Sequence, residues 1–189
     1  MAEFWSEPGS EPKRGYRWLM RFGINGINAI DEFLVKTVSR PSWSLTESSH
    51  VFLNHTFHYP GRVTYDDISV TIVDSIQPNA AVNMYNLLVA AGYTTPDTAN
   101  FDFTTVSKKG WGQSAGLGDV QIVQLDHDAV ALETWHLYNA WIKSCNLGDL
   151  SYESDDLLNV QLTLKYDYFK IGGSTRLDNA NIAQVLRAG

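Results

Sequence analysis

Between residues 63 and 73 polar and apolar positions alternate in steps of two. Thr64, Asp66, Ile68, Val70 and Ile72 fall on one face, and Val63, Tyr65, Asp67, Ser69, Thr71 and Val73 on the other. That period predicts a long, half-buried antiparallel strand, launched by a tight turn at Pro60-Gly61. The same alternation returns over 160–169, from Val160 to Phe169. Residues 16–24 place Tyr16, Trp18, Met20, Phe22 and Ile24 on one side. With 33–39 beyond the Gly/Asn turn at 24–26, they predict an early hairpin. Pro41 ends or bends its second strand, 50–57 supplies another strand closed by Tyr59-Pro60-Gly61, and strands resume over 119–125.

One helix is predicted over 80–91. Pro78-Asn79 starts it, Ala81, Met84, Tyr85, Leu88 and Val89 form its apolar stripe, and Gly92 stops it. Residues 93–118, with Gly110, Gly112, Gly116 and Gly118, predict a long flexible loop. Over 129–143 the pattern fits either element: Leu132, Trp135, His136 and Asn139 suit a helix, while 133–138 passes as a strand. Asn179 followed by Ile182, Val185 and Leu186 predicts a short terminal helix over 178–188.

At 189 residues and 44% hydrophobic content, the chain is sized for one domain with a real core. Fourteen basic against 21 acidic residues leave a net charge of -7, which argues against a surface built to grip phosphates but not against DNA passing by. The single cysteine, Cys145, cannot close an intramolecular disulfide. The acidic start, with Glu3 and Glu7, is unlike a secretory signal, and no apolar run is long enough to span a bilayer.

The residues offer little chemistry. His55 and His58, three apart in a strand, point to opposite faces and make poor joint metal ligands. Asp126-His127-Asp128 reads as a turn between strands. The glycine run around Trp111 lacks the Gly-Lys-Ser/Thr ending of a phosphate loop. Cys145 has nothing nearby to lower its pKa, and no Gly-x-Ser-x-Gly elbow occurs. Asp66-Asp67 and Asp155-Asp156 are neighbours that cannot act on one bond together if they lie in strands. Asn54-His55-Thr56 matches a glycosylation sequon, which carries no weight without a secretory signal. The expectation is a chain with no catalytic, cofactor or metal site.

Three segments, in this order, resemble the tail tube proteins of contractile-tailed bacteriophages. They are the Thr-aromatic-Asp-Asp run and strand from Gly61 to Asp74, the Trp135 region with its following turn, and the closing stretch from Leu162 to Phe169. The resemblance extends over about 16–169 and decides 129–143 in favour of strand, with a turn and short strand at 146–152 after it. It departs in the arm before Tyr16, the 93–118 loop and the extension beyond Phe169. The implied layout is an N-terminal arm (1–15), a tail-tube domain (16–170) and a C-terminal extension (171–189).

The resemblance implies a mainly β fold, an antiparallel β-sandwich or barrel with one flanking α-helix. Copies of it would join into six-fold rings stacked as a hollow tube. Val63, Tyr65, Ile68, Val70, Leu162, Leu164 and Tyr166 are then candidates for the strands of the ring joint. Asp67, Ser69 and Thr71 are candidates for a polar face on the bore, expected to be net negative. Long loops and termini would link ring to ring. Implied partners are further copies of the chain, a tail sheath, baseplate, initiator and terminator proteins, a tape measure protein, and DNA passing without sequence recognition. The implied location is a phage tail in the virion, assembled in the host cytoplasm. A tube protein of a type VI or extracellular contractile injection machine, or a tube initiator, is the alternative within the superfamily. A monomeric β-barrel holding a small ligand in an enclosed apolar pocket is the alternative outside it.

Overall fold

The computed structural model describes residues 12–22, 34–96, 105–112, 117–153 and 155–173. Ten strands and two helices follow in chain order: β1 (Trp18–Phe22), β2 (Val35–Val38), β3 (Trp43–Phe52), β4 (His55–Tyr65), β5 (Ile68–Val73), α1 (Ala80–Ala90), α2 (Lys108–Trp111), β6 (Val120–Leu125), β7 (Ala131–Tyr138), β8 (Trp141–Asn146), β9 (Asn159–Lys165) and β10 (Tyr168–Gly173). They form two four-stranded antiparallel sheets, β1-β6-β7-β10 and β2-β5-β9-β8, and a separate two-stranded sheet, β3-β4. The mainly β fold with few helices is as the sequence implied.

The core lies between the two large sheets. Met20, Ile122, Trp135 and Leu137 come from the first, and Ile68, Val70, Ile72, Val160, Leu162 and Leu164 from the second, in one buried cluster. Alternation explains the second sheet directly: Ile68, Val70 and Ile72 are buried, while Ser69 and Thr71 face away. Burying a Leu, Ile or Val side chain is worth roughly 1.5–3 kcal/mol, so this layer dominates stability.

Several expected elements are corrected. The early hairpin does not form, because β1 pairs with β6 and β2 with β5, in different sheets; its turn at 24–26 lies outside the described residues, as does the expected helix at 178–188. Pro60-Gly61 is no turn either. The chain reverses at Leu53-Asn54, and Pro60-Gly61 lies inside β4 where the register shifts against β3. A Cβ on Gly61 would sit 2.8 Å from the Thr46 carbonyl oxygen. Glycine is therefore what the bulge requires, and a proline without an N–H is tolerated beside it.

The two long alternations are each broken in the middle. Residues 63–73 divide at Asp66-Asp67 between β4 and β5, and 160–169 divide at Tyr166-Asp167 between β9 and β10. The 129–143 stretch is strand and not helix, as expected, with β7 over Ala131–Tyr138, but the short strand after it is Trp141–Asn146, and the stretch from 147 to 158 connects that strand to β9. Two of the connections that carry the chain from one sheet to the other, β7–β8 and β9–β10, are pinned together by Asp167. Its N–H donates to the Tyr138 carbonyl at 3.0 Å, and its carboxylate accepts from Asn139 Nδ2 at 2.7 Å and Lys108 Nζ at 2.5 Å. Those contacts hold its carboxyl below the ordinary range, Lys108 first.

The helix is where it was expected, capped by Asn79, whose side chain accepts from the Val82 N–H at 2.9 Å. Its expected stripe is met only in part. Met84 is buried and Leu88 packs against the core, but Tyr85 and Val89 are exposed, and Ala80 and Leu87 are buried instead. The 93–118 loop also holds more order than expected. Ser107 caps α2 by accepting from the Gly110 N–H at 3.0 Å, and Trp111 is buried in the core. A Cβ on Gly110 would come within 2.9 Å of Ala91 Cα, so the glycine lets α2 close against the end of α1. Residues 97–104 and 113–116 of this loop lie outside the described residues.

Leu87→Ala is expected to lower the free energy of unfolding by about 2–5 kcal/mol. Tyr85→Ala, on the exposed face, is expected to change it by about 0.5 kcal/mol or less, both read from urea unfolding.

Candidate assembly site

The feature least accounted for by the packing of one chain is the β3-β4 hairpin. Every residue of β3 is exposed, and every residue of β4 except Tyr65. The two strands pair with each other and with no other described strand. Yet their composition is that of a buried ribbon, with Trp43, Leu45, Val51, Phe52, Leu53, Phe57, Tyr59 and Val63 all exposed. Directly opposed residues share a face, so the register stacks Phe52 with His55, His50 with Phe57, and Ser48 with Tyr59 along one side of the arm. The opposite side carries Val51 with Thr56 and Ser49 with His58. His55 and His58 thus lie on opposite faces, as the strand period required. At the reversal, Leu53 has φ 52° and is 82% exposed. That conformation suits glycine and strains a leucine.

The arm is bare, but its root is locked. Tyr65 packs against Phe169 and Tyr166, with ring centroids 5.6 and 5.9 Å apart. Ser42 Oγ donates to Asp66 Oδ2 at 2.8 Å, Lys165 Nζ to the Tyr65 carbonyl at 3.1 Å, and Tyr166 Oη to the Ser42 carbonyl at 3.4 Å. Burial, with Asp66 nearby, pushes the Tyr166 phenol up to about 12, which keeps it a donor. Asp67 is clasped by Lys143 at 2.6 Å and Lys165 at 2.7 Å, and hydrogen bonds from these two lysines lower its pKa.

The expected site residues fall into three places. Ile68, Val70, Leu162, Leu164 and Tyr166 are buried in the core, on or just after the two middle strands of the β2-β5-β9-β8 sheet. Among the described strands its edges are instead β2 and β8. Val63 and Tyr65 lie on β4 at the arm and its root. Ser69 and Thr71 do face outward, in two cross-sheet rows: Ser69, Thr163 and Ser144, then Thr37, Thr71, Gln161 and Asn146. Along these rows the face is hydroxyl and amide, and at its Asp67 end it carries Lys165 and Lys143. Asp67 brings it no unmatched negative charge, because two lysines surround that carboxylate.

Elsewhere, Asp126-His127-Asp128 is the turn between β6 and β7, with Asp126 drawn below its ordinary pKa by His127. Desolvation raises the Cys145 thiol pKa, the wrong direction for a nucleophile. Among the described residues no helix is long and apolar enough to cross a membrane. The sequence reading missed the arm itself. Its signal was available in two apolar-polar runs, 43–52 and 55–65, of nearly equal length about Leu53-Asn54.

The sequence profile of T4-like virus tail tube protein gp19 matches residues 46–170, two thirds of the chain, from the arm to the start of β10. The chain belongs to this family. It is a tail tube protein, and its fold is found in contractile machines solved by electron cryo-microscopy. One similar chain comes from the anti-feeding prophage tube terminating cap (TM-score 0.64, 17% identity, covering 92% of this chain and 100% of that one). Another comes from the six-fold symmetrised anti-feeding prophage baseplate (0.63, 18%, 88% and 99%). A third comes from the sheath/tube terminator of the PVC extracellular contractile injection system in its extended state (0.60, 18%, 86% and 98%). A search of curated proteins finds no match.

The clasp at Asp67 makes the tail tube subunit sensitive to acid. Its folded pKa lies below the ordinary 3.8, so on acidification the unfolded chain takes up this proton first. The contribution is present above about pH 4 and disappears as the pH falls through the folded value. Wild type and Asp67→Asn are expected to differ in unfolding free energy at neutral pH and to converge in acid; a gap independent of pH would contradict the assignment.

Proposed function

We propose that this tail tube protein polymerises into stacked six-fold rings that form the inner tube of a contractile phage tail. The tube is a passive conduit for DNA ejection. The observation that carries the reading is the bare apolar arm on a rigid root, in a chain of this family. An exposed ribbon of that kind is an aggregation liability unless assembly covers it. Within a ring, the free edges of β2 and β8 supply backbone groups for neighbouring copies, and the core residues Ile68, Val70, Leu162 and Leu164 keep the intervening sheet rigid. Between rings, the β3-β4 arm reaches the next layer.

The outward face with Ser69 and Thr71 is the candidate for the bore. Hydroxyl and amide groups there let a polyanion pass without the counterion-release affinity of a lysine-lined wall. The tube wall performs no covalent chemistry. A sheath surrounds it, a baseplate and initiator start it, a terminator closes it, and a tape measure protein occupies the bore until DNA replaces it. Assembly takes place in the host cytoplasm and the product resides in the virion. Likeness to extracellular contractile injection systems favours a second reading, the tube of such a particle with another cargo. The polymer is common to both.

A variant joining Leu45 to Val63 through Asn-Gly removes the arm and keeps its root. It is expected to unfold within about 1 kcal/mol of wild type, since an isolated hairpin contributes little, and to form no stacked tubes by electron microscopy, with or without a baseplate template. Tubes as long as those of wild type would contradict the reading.

A further inference from the structure

The connection between β8 and β9, residues 147–158, is the second surface that one chain leaves uncovered. It bounds an open groove of about 650 Å³ whose wall includes Asp149, Leu150, Tyr152, Asp156 and Leu157. Leu150, Tyr152 and Leu157 are exposed. Over 147–158 the sequence has four carboxylates, Asp149, Glu153, Asp155 and Asp156, and no basic residue.

The arm lacks that excess of carboxylates. From 43 to 65 its one carboxylate is Glu47, engaged by His58 at 2.6 Å, and it bears His50, His55 and Arg62 as well. Its tip is Val51, Phe52 and Leu53, all exposed, and Leu53 holds the left-handed backbone that glycine would adopt without strain. An exposed leucine in a strained position is a residue with something to fill.

The placement of the two surfaces is as informative as their chemistry. The arm enters the β2-β5-β9-β8 sheet at Ile68, opposite Leu164. The groove closes the other end of that sheet: Val73 is opposite Asn159, Asn146 is opposite Gln161, and Asp74 N–H donates to the Leu158 carbonyl at 2.9 Å. Arm and groove thus lie at opposite ends of one set of strands. From Leu45 to Phe52 the arm runs about 24 Å at roughly 3.4 Å per residue. A contact between different surfaces at opposite ends repeats without closing, which is the geometry of a filament.

We propose that the groove bounded by residues 147–158 receives the β3-β4 arm of a second copy, with Val51, Phe52 and Leu53 covering Leu150, Tyr152 and Leu157. The imidazoles of His50 and His55 donate to the acidic wall. The inference rests on the stacked-tube reading and adds the receptor to it, on the side of the subunit away from the arm.

Charge exchange tests the pairing. The groove variant Asp149→Lys/Asp156→Lys and the arm variant His50→Glu/His55→Glu are each expected to fail to polymerise alone: the first replaces acceptors for the imidazole N–H groups with donor-only ammoniums, and the second sets carboxylates against the acidic wall. An equimolar mixture is expected to polymerise, because every contact in an alternating polymer is then either wild type to wild type or glutamate to lysine. Recovery on mixing also shows that both variants fold. Either variant polymerising alone like wild type, or a mixture that stays unpolymerised, would overturn the proposal. If the arm deletion still abolishes tubes in that event, the tube reading stands and only this receptor is wrong. Leu53→Gly gives an independent arm: the monomer should unfold no more easily than wild type, while the concentration needed for polymerisation rises about tenfold. An unchanged threshold would count against the tip contact.

Discussion

A ribbon of two strands that pairs with no other described strand is the constraint around which this structure is organised. Isolated hairpins are marginal in water, and this one exposes aromatic and aliphatic side chains that a soluble monomer would ordinarily bury. It keeps its direction because its root is tied into the core by Tyr65, Tyr166 and Phe169 and by the Asp67 clasp. Rigidity at the root preserves the angle at which the arm leaves the body. Without it, ordering the arm on a partner would cost the entropy of a flexible segment.

The body divides the remaining tasks. Core-facing side chains of β5 and β9 make the sheet stiff, its outward rows of Ser, Thr, Asn and Gln make one face wet with charge confined to the Asp67 end, and β2 and β8 are its edges among the described strands. Asp167 performs a similar service at the neighbouring corner, where Asn139 ties the β7–β8 and β9–β10 connections together through it and Lys108 adds α2. Both buttresses are carboxylates matched by lysines. Two of the chain's 21 acids are thereby matched locally, so the net charge of -7 does not report what any one face presents.

The alternation of β5 and β9 was legible because each has one wet and one dry face, and that pattern cannot be mistaken for a helix. The corners were not, because Asp66-Asp67 and Tyr166-Asp167 continue the polar-apolar rhythm through the point where the chain changes sheet. Phe169 packs beside Tyr166 across an odd spacing, a break in parity that marks the second corner. The arm escaped notice for a different reason. Apolar residues in strands are ordinarily read as core, and nothing local distinguishes a ribbon covered by its own chain from one left for another copy. The early hairpin failed because proximity in sequence was given more weight than the pairing of β1 with β6, more than a hundred positions away. The helix stripe was only partly legible: Met84 and Leu88 do face the core, while Tyr85 and Val89 are apolar enough to suit either side of α1.

Hydrogen exchange before and after polymerisation tests the central claim most directly, residue by residue. In the monomer, amides of β5 and β9 are expected to exchange slowly and those of β3 and β4 quickly. In the polymer, the arm is expected to become protected while the core strands change little. An arm already as protected as the core in the monomer, or one still exchanging freely within a formed tube, would contradict the account.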